Sequence, residues 1–275
     1  MTAVLREKAE RLRRLHAGPH TLVLANAWDV ASARLIAGLG APAIATSSAG
    51  VAFVLGYADG QRIPRAEMLD MVRRIAAAVD VPVTADVEGG YGATADAAAE
   101  TARGVIAAGA VGINLEDAAN GGGLLPAELH ASRVQAARQA ATAAGVPIVI
   151  NARTDAFEAP GSDTQRFTEA VRRANLYLAA GADCAFVPFT SDRDVIARLV
   201  KEIRGPINVL ATKASPTIAE LERLGVRRVS VGSALARAAY SVAQRAAREL
   251  LERGTYGPIA EATITHADLQ RLFGA

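Results

Sequence analysis

The stretch that decides the fold is Gly104–Asp117, G-V-I-A-A-G-A-V-G-I-N-L-E-D. It reads as the end of an Ala-rich helix, a glycine where the chain turns, a short apolar run, and two carboxylates. A glycine just past a helix followed by a brief buried strand is a helix–strand joint. The joint recurs as A-G-V-P-I-V at 144–149, A-G-A-D-C-A at 180–185 and L-G-V-R-R-V at 224–229. Outward from these joints, eight strands are expected: Thr21–Asn26, Ala43–Ser47, Val81–Asp86, Gly112–Glu116, Pro147–Asn151, Cys184–Pro188, Ile207–Leu210 and Arg228–Val231. Helical patterns separate them, as in 64–79, where Met68, Met71, Val72 and Ile75 share one face, and in 93–108, 162–180 and 192–203. Eight strands alternating with helices predict a (β/α)8 TIM-type barrel, with a doubly wound sheet as the runner-up. No linker divides the chain, so 1–275 reads as one barrel domain with a helical extension over about 233–275, interrupted by G-T-Y-G-P at 254–258.

Composition narrows the function classes. Thirty basic against 28 acidic residues give a net charge of +2, and no basic run is interleaved with aromatics, so no nucleic-acid partner is expected. The Arg-rich stretch Arg6–Arg14 reads as the solvated face of a first helix whose apolar side is Leu5, Leu12 and Leu15. Cys184 is the only cysteine, which excludes an intrachain disulfide and a cysteine zinc site; within an apolar strand it reads as a small core residue. No uncharged apolar run reaches the length of a membrane span and no secretory signal is present, so a cytoplasmic protein with no membrane partner is expected. His16, His20, His130 and His266 fall in helices or their flanks rather than at strand ends, which disfavours histidine acid–base chemistry.

The chemistry is expected at strand ends. Asp59 follows the second strand, Asp86 and Glu88 lie in V-P-V-T-A-D-V-E-G-G-Y-G, and Glu116 ends the fourth. Carboxylates gathered at the mouth of a barrel repel one another unless a cation sits among them, and hard oxygen donors suit Mg²⁺. Arg153, beyond the fifth strand, would point to the same mouth, where its planar fork suits a substrate carboxylate. Ser47, Ser48 and Ala49 are small enough to bring backbone N–H groups against an anionic oxygen. The segment 118–126 contains Gly121–Gly123 and is a candidate lid beside the ionic site.

Six segments carry a resemblance to the isocitrate lyase/phosphoenolpyruvate mutase superfamily: N-A-W-D-V-A-S-A, T-S-S-A-G-V-A, L-G-Y-A-D-G, A-D-V-E-G-G-Y-G, G-I-N-L-E-D and N-A-R-T-D-A. The resemblance covers nearly the whole chain. It implies a barrel whose last helix is exchanged between subunits, giving a homotetramer as a dimer of dimers. It implies Mg²⁺ (or Mn²⁺) held by Asp86, with Asp59, Glu88 and Glu116 acting partly through water. Ser47, Ser48, Ala49, Asp86, Arg153 and Trp28 form the implied site for a small 2-oxo or 2-hydroxy carboxylate. The family's reactions make or break a bond next to an α-oxo carboxylate through an enolate.

Two departures bear on the reaction. Glu88 stands where the family's D-x-D-T-G-Y-G motif has its second Asp. The lyase loop K-K-C-G-H is replaced by Asp117-Ala-Ala-Asn-Gly-Gly-Gly-Leu-Leu-Pro, in which Asn120 is the only functional side chain besides Asp117. Tyr91 and a metal-bound water are the candidate bases. The expected activity is therefore Mg²⁺-dependent C–C cleavage of a small 2-oxo or 2-hydroxy dicarboxylate. The alternatives are a P–C bond enzyme acting on phosphonopyruvate and a 2-oxo acid binding protein with little turnover.

Overall fold

The computed structural model describes residues 2–119 and 122–274. The first expected strand is two short ones, β1 (Leu22–Leu24) and β2 (Asn26–Ala27), broken at Ala25. The rest are β3 (Ile44–Thr46), β4 (Val83–Asp86), β5 (Gly112–Glu116), β6 (Val149–Arg153), β7 (Cys184–Phe186), β8 (Ile207–Leu210) and β9 (Arg228–Ser230). All pairings are parallel, and the order runs β1-β9-β8-β7-β6-β5-β4-β3-β2. Because β1 and β2 are halves of one extended segment, pairing one with β9 and the other with β3 closes the sheet into a (β/α)8 barrel. Asn26 staples this seam. Its Oδ1 accepts the N–H groups of Val231 and Gly232, both at 2.9 Å, and its Nδ2 donates to the Thr46 carbonyl at 2.8 Å.

The helices are α1 (Thr2–Ala17), α2 (Val30–Gly38), α3 (Ser48–Val54), α4 (Arg65–Ala78), α5 (Ala95–Ala107), α6 (Ala127–Ala143), α7 (Asp163–Ala179), α8 (Arg193–Glu202), α9 (Ile218–Leu224), α10 (Ala234–Arg253), α11 (Gly257–Ala260) and α12 (His266–Phe273). Helix α3 was not expected. Ser47 caps it, its Oγ accepting the Gly50 N–H at 3.2 Å, so the small residues after β3 turn at once into helix. Asp59 consequently follows α3 rather than the strand. Strand β6 runs two residues beyond its expected end, which puts Arg153 in register with Glu116.

Helix α1 crosses the N-terminal ends of the strands. Leu5, Ala9 and Leu12 are buried beneath it, while Arg6 reaches the Gly145 carbonyl (3.2 Å), Lys8 that of Val79 (3.3 Å) and Arg13 the Asp183 carboxylate (2.9 Å). Part of the Arg-rich face thus fastens the helix to the loops that precede β4, β6 and β7. Strand alternation sends Ile113, Ile150, Val209 and Val229 to the apolar layer under the helices. Thr84, Asp86, Asn114, Arg153, Asn208, Arg228 and Ser230 line the cavity inside the barrel.

Beyond the barrel, Ala236 is the only residue of α10 that is buried, and Leu235, Tyr240, Val242, Leu250 and Leu251 face solvent. The Arg34 guanidinium on α2 ties down α12, donating to the Leu272 carbonyl (2.8 Å) and lying 5.2 Å from the Phe273 ring centre. Among the described residues no helix is long and apolar enough to cross a membrane.

Candidate active site

Parallel register sets Asp86 beside Asn114, Asn114 beside Asn151, and Glu116 beside Arg153. The side chains follow the same path. Asn151 Nδ2 donates to Asn114 Oδ1 (2.8 Å), and Asn114 Nδ2 donates to Asp86 Oδ1 (3.0 Å). Ser48 donates to Asp86 Oδ2 twice, from its backbone N–H (3.0 Å) and its hydroxyl (2.7 Å). The Ser48 N–H, expected to meet a ligand oxygen, is therefore spent on Asp86. Each carboxylate oxygen has about two acceptor sites. Oδ2 is saturated, and Oδ1 keeps one lone pair for a further partner.

Asp86 borders a cavity of about 200 Å³ at the C-terminal ends of the strands. That volume suits a metabolite of few atoms. Of the expected residues, Ser47, Ser48, Ala49, Asp59, Asp86 and Arg153 line it. Glu88, Glu116, Tyr91 and Trp28 are not part of the lining. Trp28 packs so closely on Gly50 that a Cβ there would meet the Trp28 Cβ at 2.6 Å. Asn120 lies outside the described residues. Around it the segment folds back on itself, with Ala118 bridged to Leu124 and the Leu125 N–H on the Asp117 carbonyl at 2.8 Å.

Glu88 and Tyr91 belong to a strained turn. Gln61, Glu88 and Tyr91 all have left-handed backbone, with φ of 57°, 50° and 57°. Such conformations cost about 1–3 kcal/mol each in non-glycine residues and persist where the surroundings enforce them. Here the Gln61 N–H donates to Glu88 Oε2, and the Tyr91 N–H donates to Gln61 Oε1 at 2.8 Å. The buried Arg133 of α6 holds the same turn from behind through the carbonyls of Gly89 and Gly92. Gly90 has φ +78°, and a Cβ there would lie 2.8 Å from Leu115 Cδ1.

Arg153 is positioned by a relay that sequence reasoning missed. Asp117, fully buried just past β5, accepts the Asp155 N–H on Oδ1 (3.0 Å), and on Oδ2 the Arg173 Nη1 (3.0 Å) and the Tyr177 hydroxyl (2.7 Å). Asp155 in turn grips Arg153 with two bonds, Nε to Oδ1 at 2.6 Å and Nη2 to Oδ2 at 2.9 Å. Glu116 takes Nη1 at 2.8 Å. Against the burial that disfavours its charge, Glu116 and Asp155 hold Arg153 cationic well above its ordinary range. The rings of Phe186 and Phe189 lie 5.7 and 5.3 Å from the guanidinium, and Phe189 has a left-handed φ of 64°.

The carboxylates strain against one another. Burial, then the Asp86 charge, raises Glu88 to about 7. Burial raises Glu116 to about 8 in spite of Arg153, with Asp155 and Asp86 adding to the rise. Asp59 is raised by desolvation and by Asp86. Burial and the Glu88 charge push the Tyr91 phenol far above its ordinary range, and its hydroxyl has no hydrogen-bond partner among the described residues. At neutral pH the phenol is therefore favoured over the phenolate. Cys184 is buried in the core and its thiol is pushed up to about 12, which fits a packing role. His16 and His130 are buried and His20 and His266 exposed, none of them lining the cavity.

Among the described residues no three His, Cys, Asp or Glu side chains converge tightly enough to enclose a metal by themselves. The donor set nonetheless fits a hydrated divalent cation. Asp86 Oδ1 has a free lone pair, Glu88 Oε1 is buried without a partner among the described residues, and Asp59, Glu88 and Glu116 are raised first by burial and then by the charge of neighbouring carboxylates.

Comparison with known proteins agrees with this geometry. The family model for phosphoenolpyruvate phosphomutase matches residues 12–251. An uncharacterised protein of Mycobacterium tuberculosis is 35% identical over 257 residues, covering 93% of each chain. The 2-methylisocitrate lyase of Bacillus subtilis is 28% identical over 261 residues, covering 90% of this chain and 83% of the lyase. A crystal structure assigned as a lyase or mutase from Burkholderia cenocepacia J2315 superposes with a TM-score of 0.92 at 36% identity, covering 99% of this chain and 98% of that one. A 2,3-dimethylmalate lyase gives 0.84 at 27% identity over 96% and 94% of the two chains. An oxaloacetate acetylhydrolase with bound oxalate gives 0.84 at 25% identity over 97% and 92%. The chain belongs to the phosphoenolpyruvate phosphomutase family, within the isocitrate lyase/phosphoenolpyruvate mutase superfamily of carbon–carbon lyases and mutases.

Proposed function

We propose that the protein is a Mg²⁺-dependent lyase that cleaves a C–C bond next to the oxo or hydroxy carbon of a small dicarboxylate. The observation that carries this reading is the cavity of about 200 Å³ lined by Asp59, Asp86 and the braced Arg153. Asp86 would hold the cation through Oδ1, with Asp59, Glu88 and Glu116 reaching it through water; Mn²⁺ suits the same oxygens. When bound, the cation would polarise the substrate's carboxylate and oxo oxygens and stabilise an enolate. Arg153 keeps one N–H free on each of Nη1 and Nη2 after its bonds to Glu116 and Asp155, and these would orient an anionic substrate oxygen. Tyr91 and a metal-bound water are the candidate bases, and Asn120 is the remaining polar candidate.

The relatives named for 2,3-dimethylmalate and oxaloacetate support a small branched or straight dicarboxylate, while the 2-methylisocitrate lyase is named for a tricarboxylate. Residues 117–126 contain no Cys, Lys or His, so isocitrate cleavage should fall far below a lyase level. A panel of oxaloacetate, methylisocitrate, 2,3-dimethylmalate, isocitrate and phosphonopyruvate with Mg²⁺ tests the reading. Turnover of oxaloacetate or 2,3-dimethylmalate supports it, and turnover of methylisocitrate or isocitrate alone replaces it with a tricarboxylate lyase. Turnover of phosphonopyruvate alone replaces it with P–C chemistry, and tight 2-oxo acid binding without any product replaces it with a binding protein. The solvent-facing apolar side chains of α10 support assembly with further copies of the chain, as a homotetramer built from two dimers. Light scattering in solution gives the mass.

A further inference from the structure

We propose that Arg228 selects the ligand by binding its second carboxylate at the floor of the barrel cavity. The proposal rests on the dicarboxylate reading above and adds the residue that would enforce it. Arg228 opens β9 and Ser230 closes it, and both line the cavity. Two residues of strand span about 6–7 Å, so the cavity descends that far from the mouth into the barrel. A four-carbon diacid bound at the mouth by one carboxylate has its other end in this lower layer.

Charge pairing singles out Arg228. Arg153 is matched by two carboxylates, Glu116 and Asp155. Arg228 is 3% exposed and has no carboxylate partner among the described residues. Among the described residues its one polar contact is a long one, Nη1 to His16 Nε2 at 3.5 Å, and its Nε has none. His16 offers no charge. Its Nδ1 meets the Leu12 carbonyl at 2.8 Å, and burial and the Arg228 charge lower it to about 4, so it is a neutral ring with Nε2 as acceptor. Asn208 and Ser230 beside it bond to each other. The adjacent Arg227 turns outward to the Gly18 carbonyl at 3.1 Å. A buried guanidinium without a countercharge is costly. A planar fork facing a small cavity is matched in shape and charge by a carboxylate.

Lactate and malate differ only in the second carboxylate, and neither needs turnover to be measured. Titration calorimetry with Mg²⁺ would compare wild type, Arg228→Met and Arg228→Lys. Wild type should bind malate about tenfold or more tightly than lactate, the worth of a charged hydrogen bond. Arg228→Met should bring malate to the level of lactate and leave lactate within about twofold. Arg228→Lys should keep part of the preference. Because Arg228→Met removes an unpaired buried charge, it should melt no lower than wild type. Equal weakening of both ligands in Arg228→Met would mark Arg228 as a general counter-charge and overturn the proposal, as would a large loss of melting temperature. Wild type that binds neither acid overturns the dicarboxylate reading itself, and the role of Arg228 with it.

Discussion

Replacing Asp117 with asparagine tests whether the site is held from behind. The change keeps the side chain's shape, removes its charge and turns one acceptor oxygen into a donor. Whichever way the amide is oriented, a donor faces a donor. One orientation opposes the Asp155 N–H, and the other opposes Arg173 Nη1 and takes away the acceptor of the Tyr177 hydroxyl. A buried donor left unmatched costs about 1–3 kcal/mol, and removing one member of a buried ion pair about 3–5 kcal/mol. Arg173 keeps Glu169 at 2.6 Å and the Leu125 carbonyl at 2.8 Å, so the loss should lie near the lower figure, about 3 kcal/mol. For a chain of 275 residues that lowers the melting temperature by about 5 °C. In the first orientation Asp155 would also lose its backbone anchor and Arg153 its fixed angle, and 2-oxo acid affinity should fall although Asp117 does not line the cavity. Calorimetric melting and ligand titration on the same sample read both effects. Glu169→Gln is the control. It removes the partly exposed partner of Arg173 and should cost under about 1 kcal/mol. Asp117→Asn melting with wild type, or the control losing as much, would refute the relay.

Asp86→Ala should abolish Mg²⁺ binding by calorimetry while the circular dichroism spectrum is retained; unchanged Mg²⁺ affinity would remove Asp86 from the metal site. Arg153→Lys should weaken 2-oxo acid binding by about 1–3 kcal/mol, because an ammonium cannot reproduce the fork that Asp155 and the ligand share. Equal affinity would confine Arg153 to a structural ion pair. His16 and His130 are lowered by burial to about 4 and about 3, from about 6.5 when unfolded. The unfolded chain therefore binds more protons below about pH 6.5, and their contribution to stability, complete above that pH, is lost as pH falls through the folded values. Glu88 and Glu116, being raised, act in the opposite sense, so the test is site-specific. Imidazole NMR signals of His16 and His130 should not titrate between pH 7 and 5, and a midpoint near 6.5 for either would contradict its burial.

Much of the fold was legible because it depends on short-range order. The helix–glycine–strand joint at Gly109 repeats at Gly145, Gly181 and Gly225, and an apolar run too short for a buried helix is a strand. The break at Ala25 was not legible. It depends on one segment pairing with β9 on one side and β3 on the other, a consequence of closure rather than of local propensity. Helix α3 was hidden for a different reason: T-S-S-A-G reads as a loop until Ser47 is seen to cap it.

For the site, the sequence by itself determined the family motifs and the strand-end positions of Asp86, Glu116 and Arg153, since alternation and strand ends are local properties. The tertiary structure alone decided how these groups are paired. Arg133, Arg173 and Tyr177 lie in helical patterns that resemble a solvated face, and only packing shows them buried against the turn at Gly89 and against Asp117. The same holds for the two arginines of the cavity. Their residue type is visible in the chain, but only the closed barrel shows that Arg153 is neutralised by Glu116 and Asp155 while Arg228 faces the cavity without a carboxylate. Electrostatic pairing is a property of distances across strands, and no spacing along the chain encodes it.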